Sequence, residues 1–267
     1  MSTQPGSNIH PTAIVAKGAA VAASCRIGPF CIVGPNVVLG EDCELVSHVV
    51  LDGHSTFGRG NKIYSFACLG IPPQDLKYAG EPTRLEVGDE NSIREYVTIS
   101  RGTAGGGGTT RVGSGCLIMA YTHIGHDSSI GNGCILANGS TLAGHVTVED
   151  YATTSALGPI HQYCTIGKHA YVGGGTVITQ DVLPFSLTSV ERNSHAYGLN
   201  KVGLQRRGFT PEQLRELATA MRLLTGGKLN TTQALEAINE MIANGAGGEH
   251  VKYLAEFVAR SERGVIK

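Results

Sequence analysis

The residues best suited to chemistry fall at one repeated spacing. His123-Ile124-Gly125-His126-Asp127 is followed eighteen positions later by Gly144-His145, and eighteen later again by Gln162-Tyr163 with His161 beside them. A chain that advances one layer every eighteen residues stacks His126, Gly144 and Gln162 in one column and Asp127, His145 and Tyr163 in the next. His123 and His161 flank both columns. Histidine is the side chain best matched to proton transfer near neutral pH, and an adjoining carboxylate fixes its tautomer and stabilises the imidazolium. No serine or cysteine stands in an obvious nucleophile setting beside the cluster, so a base here points to direct attack by a substrate hydroxyl or amine. Glycine at 144 leaves a backbone N–H open to an oxyanion. Zinc held by three histidines is the competing reading, and Asp127 is better explained as a group that orients the imidazole.

The elements that must carry these residues announce themselves as a repeat. From Ile9, every sixth residue is aliphatic through Ile27, Leu45 and Ile63 to Leu69, with Phe57 the one aromatic. The same phase resumes at Val87, Ile93 and Ile99. After a shift by one it runs from Val112 to Ile178, broken only by Thr154. A helix repeats at 3.6 and a plain strand at 2, so a period of six fits neither. It fits short strands joined by turns, three hexapeptides to a coil, the signature of a parallel β-helix with coils ~4.8 Å apart. Glycine often follows the aliphatic residue, as at Gly28, Gly40, Gly58 and Gly125, where it suits a turn of unusual φ and ψ. The fourth residue on is small, and Cys25, Cys31, Cys43, Cys116, Cys134 and Cys164 occupy this second inward slot as core filling, with Cys68 one place off. There is no CxxC pair to suggest zinc or redox chemistry.

Composition agrees. Glycine contributes 37 of 267 residues, against an ordinary share of ~7%, and tryptophan is absent. A narrow aliphatic core is expected. The net charge of −1 excludes a globally basic nucleic-acid binder. No apolar stretch approaches the ~20 residues of a transmembrane helix. The N-terminus lacks the charged and apolar regions of a secretory signal, so a cytoplasmic, reduced protein is expected.

Two insertions interrupt the repeat, at 71–84 and 102–111. Insertions in such solenoids map to functional faces. The first is rich in functional side chains; the second is mostly glycine, a lid or spacer. The pattern changes at Thr210-Pro211-Glu212-Gln213, an N-cap, a proline at the first helical position and a capping-box glutamine. Helices are expected from there to about Gly226, over 231–243 and over 249–262. The organisation is therefore a β-helix over 1–190 and a helical domain over 191–267. Residues 200–267 carry ten Lys and Arg against seven Asp and Glu, the more positive end of the chain.

With these residues in view, the sequence resembles the acyl-carrier-protein:UDP-N-acetylglucosamine O-acyltransferases, which open lipid A synthesis. The resemblance rests on IHPTAIV, QDLKYAGEPTR, RGT, HIGHD, GNGCILAN, TLAGHV, HQYCTIG and GLNKVGLQRRGF, spread over nearly the whole chain. It implies a left-handed β-helix, against the usual crossover hand, followed by the small helical domain. It implies a homotrimer without cofactor or metal, with the site between subunits and acyl carrier protein and UDP-N-acetylglucosamine as substrates. By the same resemblance His126 is the base toward the sugar 3-hydroxyl, Asp127 orients it, and the Gly144 N–H holds the oxyanion. His123, His145, His161 and Gln162 position sugar, diphosphate and acyl chain, and Gln74, Asp75 and Lys77 contact sugar and phosphates. Asn200, Arg206 and Arg207 bind the nucleotide. Gly174 lies at the end of the acyl groove and leaves it open to a long chain.

Departures from the family pattern are Ser100, where a histidine often stands, Val202, where an acidic residue often stands, and VERNSHAYG before the tail. These leave a 3-amino sugar open as acceptor. Three further readings stand beside this one: the later N-acyltransferase of the pathway, which usually carries an extra N-terminal domain, a silent nucleotide-sugar-binding scaffold, and a zinc hydratase like the gamma-class carbonic anhydrases.

Overall fold

Short parallel strands stack into three sheets of eight, eight and nine strands in a computed structural model that describes residues 8–188, 199, 201–206 and 208–260. The ladder steps by eighteen in the regular coils, as in Ile14↔Ile32, Ile135↔Thr153 and Thr147↔Thr165. The step lengthens to thirty across the first insertion (Cys68↔Thr98) and to twenty-five across the second (Thr98↔His123). The architecture is a parallel β-helix. Most strands are two residues long, with one side chain outward and one inward, as in Arg26–Ile27 and Ser129–Ile130. The inward aliphatics and the six buried cysteines form one continuous core along the axis. All seven cysteines are free thiols.

Glycine after the aliphatic residue has a different cause from the one its type suggests. Most of these glycines lie outside the positive-φ region; they are small because the next coil leaves no room. A Cβ on Gly40 would lie 2.7 Å from the Gly58 carbonyl carbon, and one on Gly113 would lie 2.6 Å from Gly131 O. The left-handed conformation falls two residues later, on side chains that ordinarily avoid it, such as Phe30 (φ 59°), Tyr96 (59°), Asp127 (57°) and His145 (62°). Stacking along the column supports it: Phe30, His48, Phe66, Tyr96 and Tyr121 form a ladder with ring centroids 4.9 to 5.0 Å apart.

Both insertions leave from one corner. The column Leu69, Ile99, Ile124, Leu142, Ile160 is continuous in register, and each break follows its first or second member. The strands Arg84–Val87 and Thr109–Val112 are four residues long and pair along their full length. The stretches outside the strands are therefore 72–83 and 101–108; of the 71–84 and 102–111 read from the sequence, the ladder takes Ile71 and Arg84 from the first and 109–111 from the second. The repeat also outlasts Ile178. A sixteen-residue step joins Ile166 to Val182, and a strand Leu187–Thr188 pairs with Tyr171–Val172.

The chain divides into two compact units, 1–190 and 191–267. The second holds α1 (Lys201–Arg206), which the sequence pattern did not reveal, α2 (Pro211–Thr225), α3 (Thr231–Ala243) and α4 (Glu249–Ala259). Thr210 and Asn230 each close a reciprocal capping box with Gln213 and Gln233. The last helix stops at Ala259, before the Glu262 expected from the sequence, and Arg260 caps it. Leu217, Ala220, Leu224, Ala234, Ile238, Val251, Ala255 and Val258 form this unit's own core. No helix of the described residues is long and apolar enough to cross a membrane.

Candidate active site

The corner that emits both insertions carries the histidine cluster. His126 and Asp127 sit in the turn after His123–Ile124, and Gly144 and His145 sit in the turn one coil on. His126 Nδ1 lies 2.8 Å from Asp127 Oδ2. An ionised carboxylate only accepts, so Nδ1 carries the proton, which in the neutral imidazole leaves the lone pair on Nε2. His145 packs edge-on to His126 at 5.1 Å between ring centroids and stacks on Tyr163 at 4.5 Å. Its Nε2 is 3.9 Å from the same carboxylate oxygen. His123 is half-buried with Nδ1 2.8 Å from Thr98 Oγ1. Burial, and then the neighbouring His126, hold its pKa below the ordinary histidine value.

Asp127 is the centre of the arrangement. Its side chain is fully buried while that of His126 is 18% exposed. The second insertion does the burying. The Thr103 N–H donates to both carboxylate oxygens, at 3.0 and 3.1 Å, and the Thr103 hydroxyl donates to Oδ2 at 2.6 Å. Burial pushes the carboxyl pKa up, and the donations from Thr103 and His126 outweigh it, leaving the group below the usual carboxylate range. The Asp127 N–H donates in turn to Thr110 Oγ1 at 2.8 Å, which pins the turn. The outcome is a buried, ionised carboxylate aimed at one imidazole nitrogen.

Gly144 is glycine for the sake of that imidazole. A Cβ there would lie 2.6 Å from His126 Cε1 and 2.7 Å from Nε2. Its neighbours donate along the ladder, Ala143 to Ile160 O and His145 to His126 O, while the Gly144 N–H donates to no group among the described residues. The arrangement thus offers a general base beside an open backbone donor.

His126, Asp127 and His145 also form the one group among the described residues whose ligand atoms converge as a metal site would require, all within 4.8 Å of one another. The donor set fits poorly. Asp127 Oδ2 already takes three donors, and the His126 nitrogen nearest it is the one it holds. A cation bound through Oδ2 would have to compete with these three donors.

The other residues singled out in the sequence are more dispersed. His161 and Gln162 are exposed on the same corner one coil further, with His161 Nδ1 3.1 Å from Gln162 O. Gln74 and Lys77 are exposed on the first insertion, where the Lys77 N–H donates to Asp75 Oδ1 at 2.9 Å. None of the hydrogen bonds or ion pairs of Gln74, Asp75 and Lys77 reaches the histidines. Gly174 lies half-buried in the turn after Tyr171–Val172, on the corner that carries Tyr121 and Gly139. Arg206 is exposed at the end of α1. Asn200 and Arg207 lie outside the described residues. Ser100 is buried with no partner for its hydroxyl.

Sequence reasoning passed over two residues that tie the corner together, Arg101 and Thr103. Arg101 donates from Nη1 to Gly70 O at 2.8 Å and from Nε and Nη2 to Tyr78 Oη at 3.0 and 2.9 Å. The Tyr78 hydroxyl donates to Glu81 O. Arg101 therefore clamps the first insertion, and Thr103 clamps the second. The one sequence signal was the Arg101-Gly102-Thr103 segment itself, standing between a strand and a glycine run.

Residues 181–266 match the family described as UDP N-acetylglucosamine O-acyltransferase, domain 2, and residues 109–144 match the bacterial transferase hexapeptide. Among solved structures, the UDP-N-acetylglucosamine acyltransferase of Francisella novicida is similar at 40% identity over 97% of this chain and 93% of that one, with a TM-score of 0.67. The UDP-N-acetylglucosamine O-acyltransferase of Moraxella catarrhalis is similar at 38% over 97% and 100%, with a TM-score of 0.68. The Arabidopsis UDP-N-acetylglucosamine acyltransferase is similar at 31% over 97% and 100%, with a TM-score of 0.60.

Proposed function

The chain belongs to the UDP-N-acetylglucosamine O-acyltransferase family, and on that premise we propose that it moves a 3-hydroxyacyl chain from acyl carrier protein to the 3-hydroxyl of UDP-N-acetylglucosamine, with His126 as general base. The observation that carries this reading is the His126–Asp127 pair over the open Gly144 N–H. His126 Nε2 takes the proton of the sugar 3-hydroxyl as its oxygen attacks the thioester carbonyl carbon. The Gly144 N–H holds the negative charge that develops on the carbonyl oxygen. Collapse of the tetrahedral intermediate breaks the C–S bond, and the imidazolium returns its proton to the departing sulfur. Asp127 stays ionised throughout and stabilises the imidazolium. His123, held toward its neutral form, adds no positive charge beside the base. His145, His161 and Gln162 line the same corner for the sugar, diphosphate and acyl chain. Gln74, Asp75 and Lys77 contact sugar and phosphates from the clamped first insertion, and Asn200, Arg206 and Arg207 of a neighbouring subunit take the nucleotide.

Gly174 supports an assembly. It stands on a different corner from His126, so it borders the acyl groove only when a second copy brings that corner alongside. A homotrimer with a site at each subunit boundary meets this requirement, and the open glycine favours a long acyl chain. Acyl carrier protein and the nucleotide sugar then meet in the cytoplasm. The experiment is a mass-spectrometric transfer assay with UDP-N-acetylglucosamine, its 3-amino analogue and a ladder of 3-hydroxyacyl carrier proteins. A monoacylated UDP-N-acetylglucosamine is expected. An amide formed only on the 3-amino sugar would move the acceptor from oxygen to nitrogen, and no product on either sugar would overturn the reading.

A further inference from the structure

We propose that Thr103, at the head of the glycine-rich insertion, is a positioning residue of the proton relay, and that the insertion is a strap holding Asp127 in line with His126. The inference rests on His126 acting as the base. Several donors converge on the one Asp127 carboxylate. Asp127 Oδ2 accepts from the Thr103 hydroxyl at 2.6 Å and from His126 Nδ1 at 2.8 Å, and the Thr103 N–H spans both oxygens. A carboxylate with only the imidazole as partner is free to turn about its Cβ–Cγ bond. Three further donations from a fixed backbone position remove that freedom, so the Nδ1–H tautomer of His126 is set by Thr103 acting through Asp127.

The strap is built for this contact. Thr103 caps a single turn of 3-10 helix, Ala104–Gly106, by accepting from the Gly106 N–H, and Gly107 closes the turn at φ 98°. The same hydroxyl oxygen accepts from Gly106 and donates to Asp127, so the turn fixes where its proton points. The glycines supply clearance. A Cβ on Gly106 would overlap the Asp127 carboxylate and come within 2.6 Å of His145 Cε1, and one on Gly102 would come within 2.7 Å of Asp127 Oδ1. Gly102 and Gly106 are therefore closely fitted over the carboxylate, while a Cβ on Gly105, Gly107 or Gly108 would meet nothing within 4 Å.

The test compares Thr103→Val, which keeps the shape and removes the hydroxyl, with Thr103→Ser, which keeps the hydroxyl. Thr103→Ala serves if the valine is not accommodated. Each full-length variant is assayed for acyl transfer, and its His126 tautomer is read by nitrogen-15 NMR in the absence of substrate. The valine variant is expected to lose roughly tenfold to a hundredfold in kcat, the range seen when a group that orients a functional histidine is removed. Its KM for the nucleotide sugar should stay within about twofold, and its His126 should move toward the tautomer mixture of Asp127→Ala. The serine variant should recover to within about threefold of the parent. An unchanged tautomer in the valine variant overturns the proposal, whatever the activity does, and so does an unchanged kcat. Because the tautomer is read without substrate, it stands even if the parent transfers no acyl group, an outcome that would overturn the reaction alone.

Discussion

Two corners of the same β-helix use one backbone conformation for opposite ends. On the first, Phe30, His48, Phe66, Tyr96 and Tyr121 take the left-handed turn position in successive coils and stack as an exposed ladder, Phe30 at 55% and Tyr121 at 65% accessibility. On the second, Asp127, His145 and Tyr163 take the equivalent position at nearly the same φ. There the rings also stack, yet the Asp127 side chain is completely covered. The turn does not make the difference, since both corners share it. The insertions do, because both of them depart from the second corner and one closes over the carboxylate. A regular solenoid supplies evenly spaced side chains; burial of one of them converts a stack into a site with a defined tautomer.

The comparison can be broken at several points. Short of removing the base itself, the largest effect is expected from Gly144→Ala, which leaves the coil intact and pushes against the His126 ring. A loss of about a hundredfold in kcat follows from displacing a reacting group by about an ångström, measured by initial rates at saturating substrates. Arg101→Lys should come next. A lysine cannot reproduce the fork that holds Tyr78 Oη and Gly70 O together. Loosening the first insertion should raise KM for the nucleotide sugar by roughly tenfold with a smaller change in kcat, a magnitude like that for losing an orienting group. On the other corner, Tyr96→Ala removes two ring stacks. It should lower stability to urea by about 1–3 kcal/mol, at ~0.5–1.5 per aromatic pair, and leave kcat within about twofold. A large loss of activity with the assembly intact would place this part of the ladder, like Gly174 further along the same corner, at the site of a neighbouring subunit.

The smallest effect is a pH dependence. Asp127 is held below its ordinary value in the folded chain. Its contribution to stability is therefore complete above the unfolded carboxyl pKa of about 3.9 and is lost as pH falls through the lower folded value. The stability gap between the parent and Asp127→Asn, followed by urea unfolding, should be constant from pH 7 to about 5 and narrow below about 4. A gap that widens on acidification would mean that Asp127 is not held ionised.

Much of the second corner was legible as arithmetic. The eighteen-residue step puts Asp127 beneath His145 and His145 beneath Tyr163, and the rings of the last two stack at 4.5 Å. The aliphatic period of six and the second inward slot four residues on together marked all of the buried core but Leu85 and Val182. The parts that were not legible depend on contacts the period does not carry. Thr103 reaches Asp127 across twenty-four residues and a phase shift, from within a glycine run whose composition says nothing about which face it covers. Arg101 and Tyr78 meet only because the first insertion folds back on its own base. The small residues after each aliphatic suggested turn geometry, whereas the coil above sets their size, and that is a property of stacking that one coil's sequence does not contain. The sixteen-residue last coil hid the strand Leu187–Thr188 because it breaks the period that revealed the rest.

The most direct test of the account is to run the parent protein and His126→Ala side by side in the transfer assay, with both shown to be folded and in the same assembly state. The account predicts a monoacylated UDP-N-acetylglucosamine from the parent and a rate lower by about a hundredfold to ten-thousandfold from the variant, the usual worth of a general base. A variant that turns over within a few-fold of the parent would contradict it, since the proton of the attacking hydroxyl would then be going somewhere other than His126.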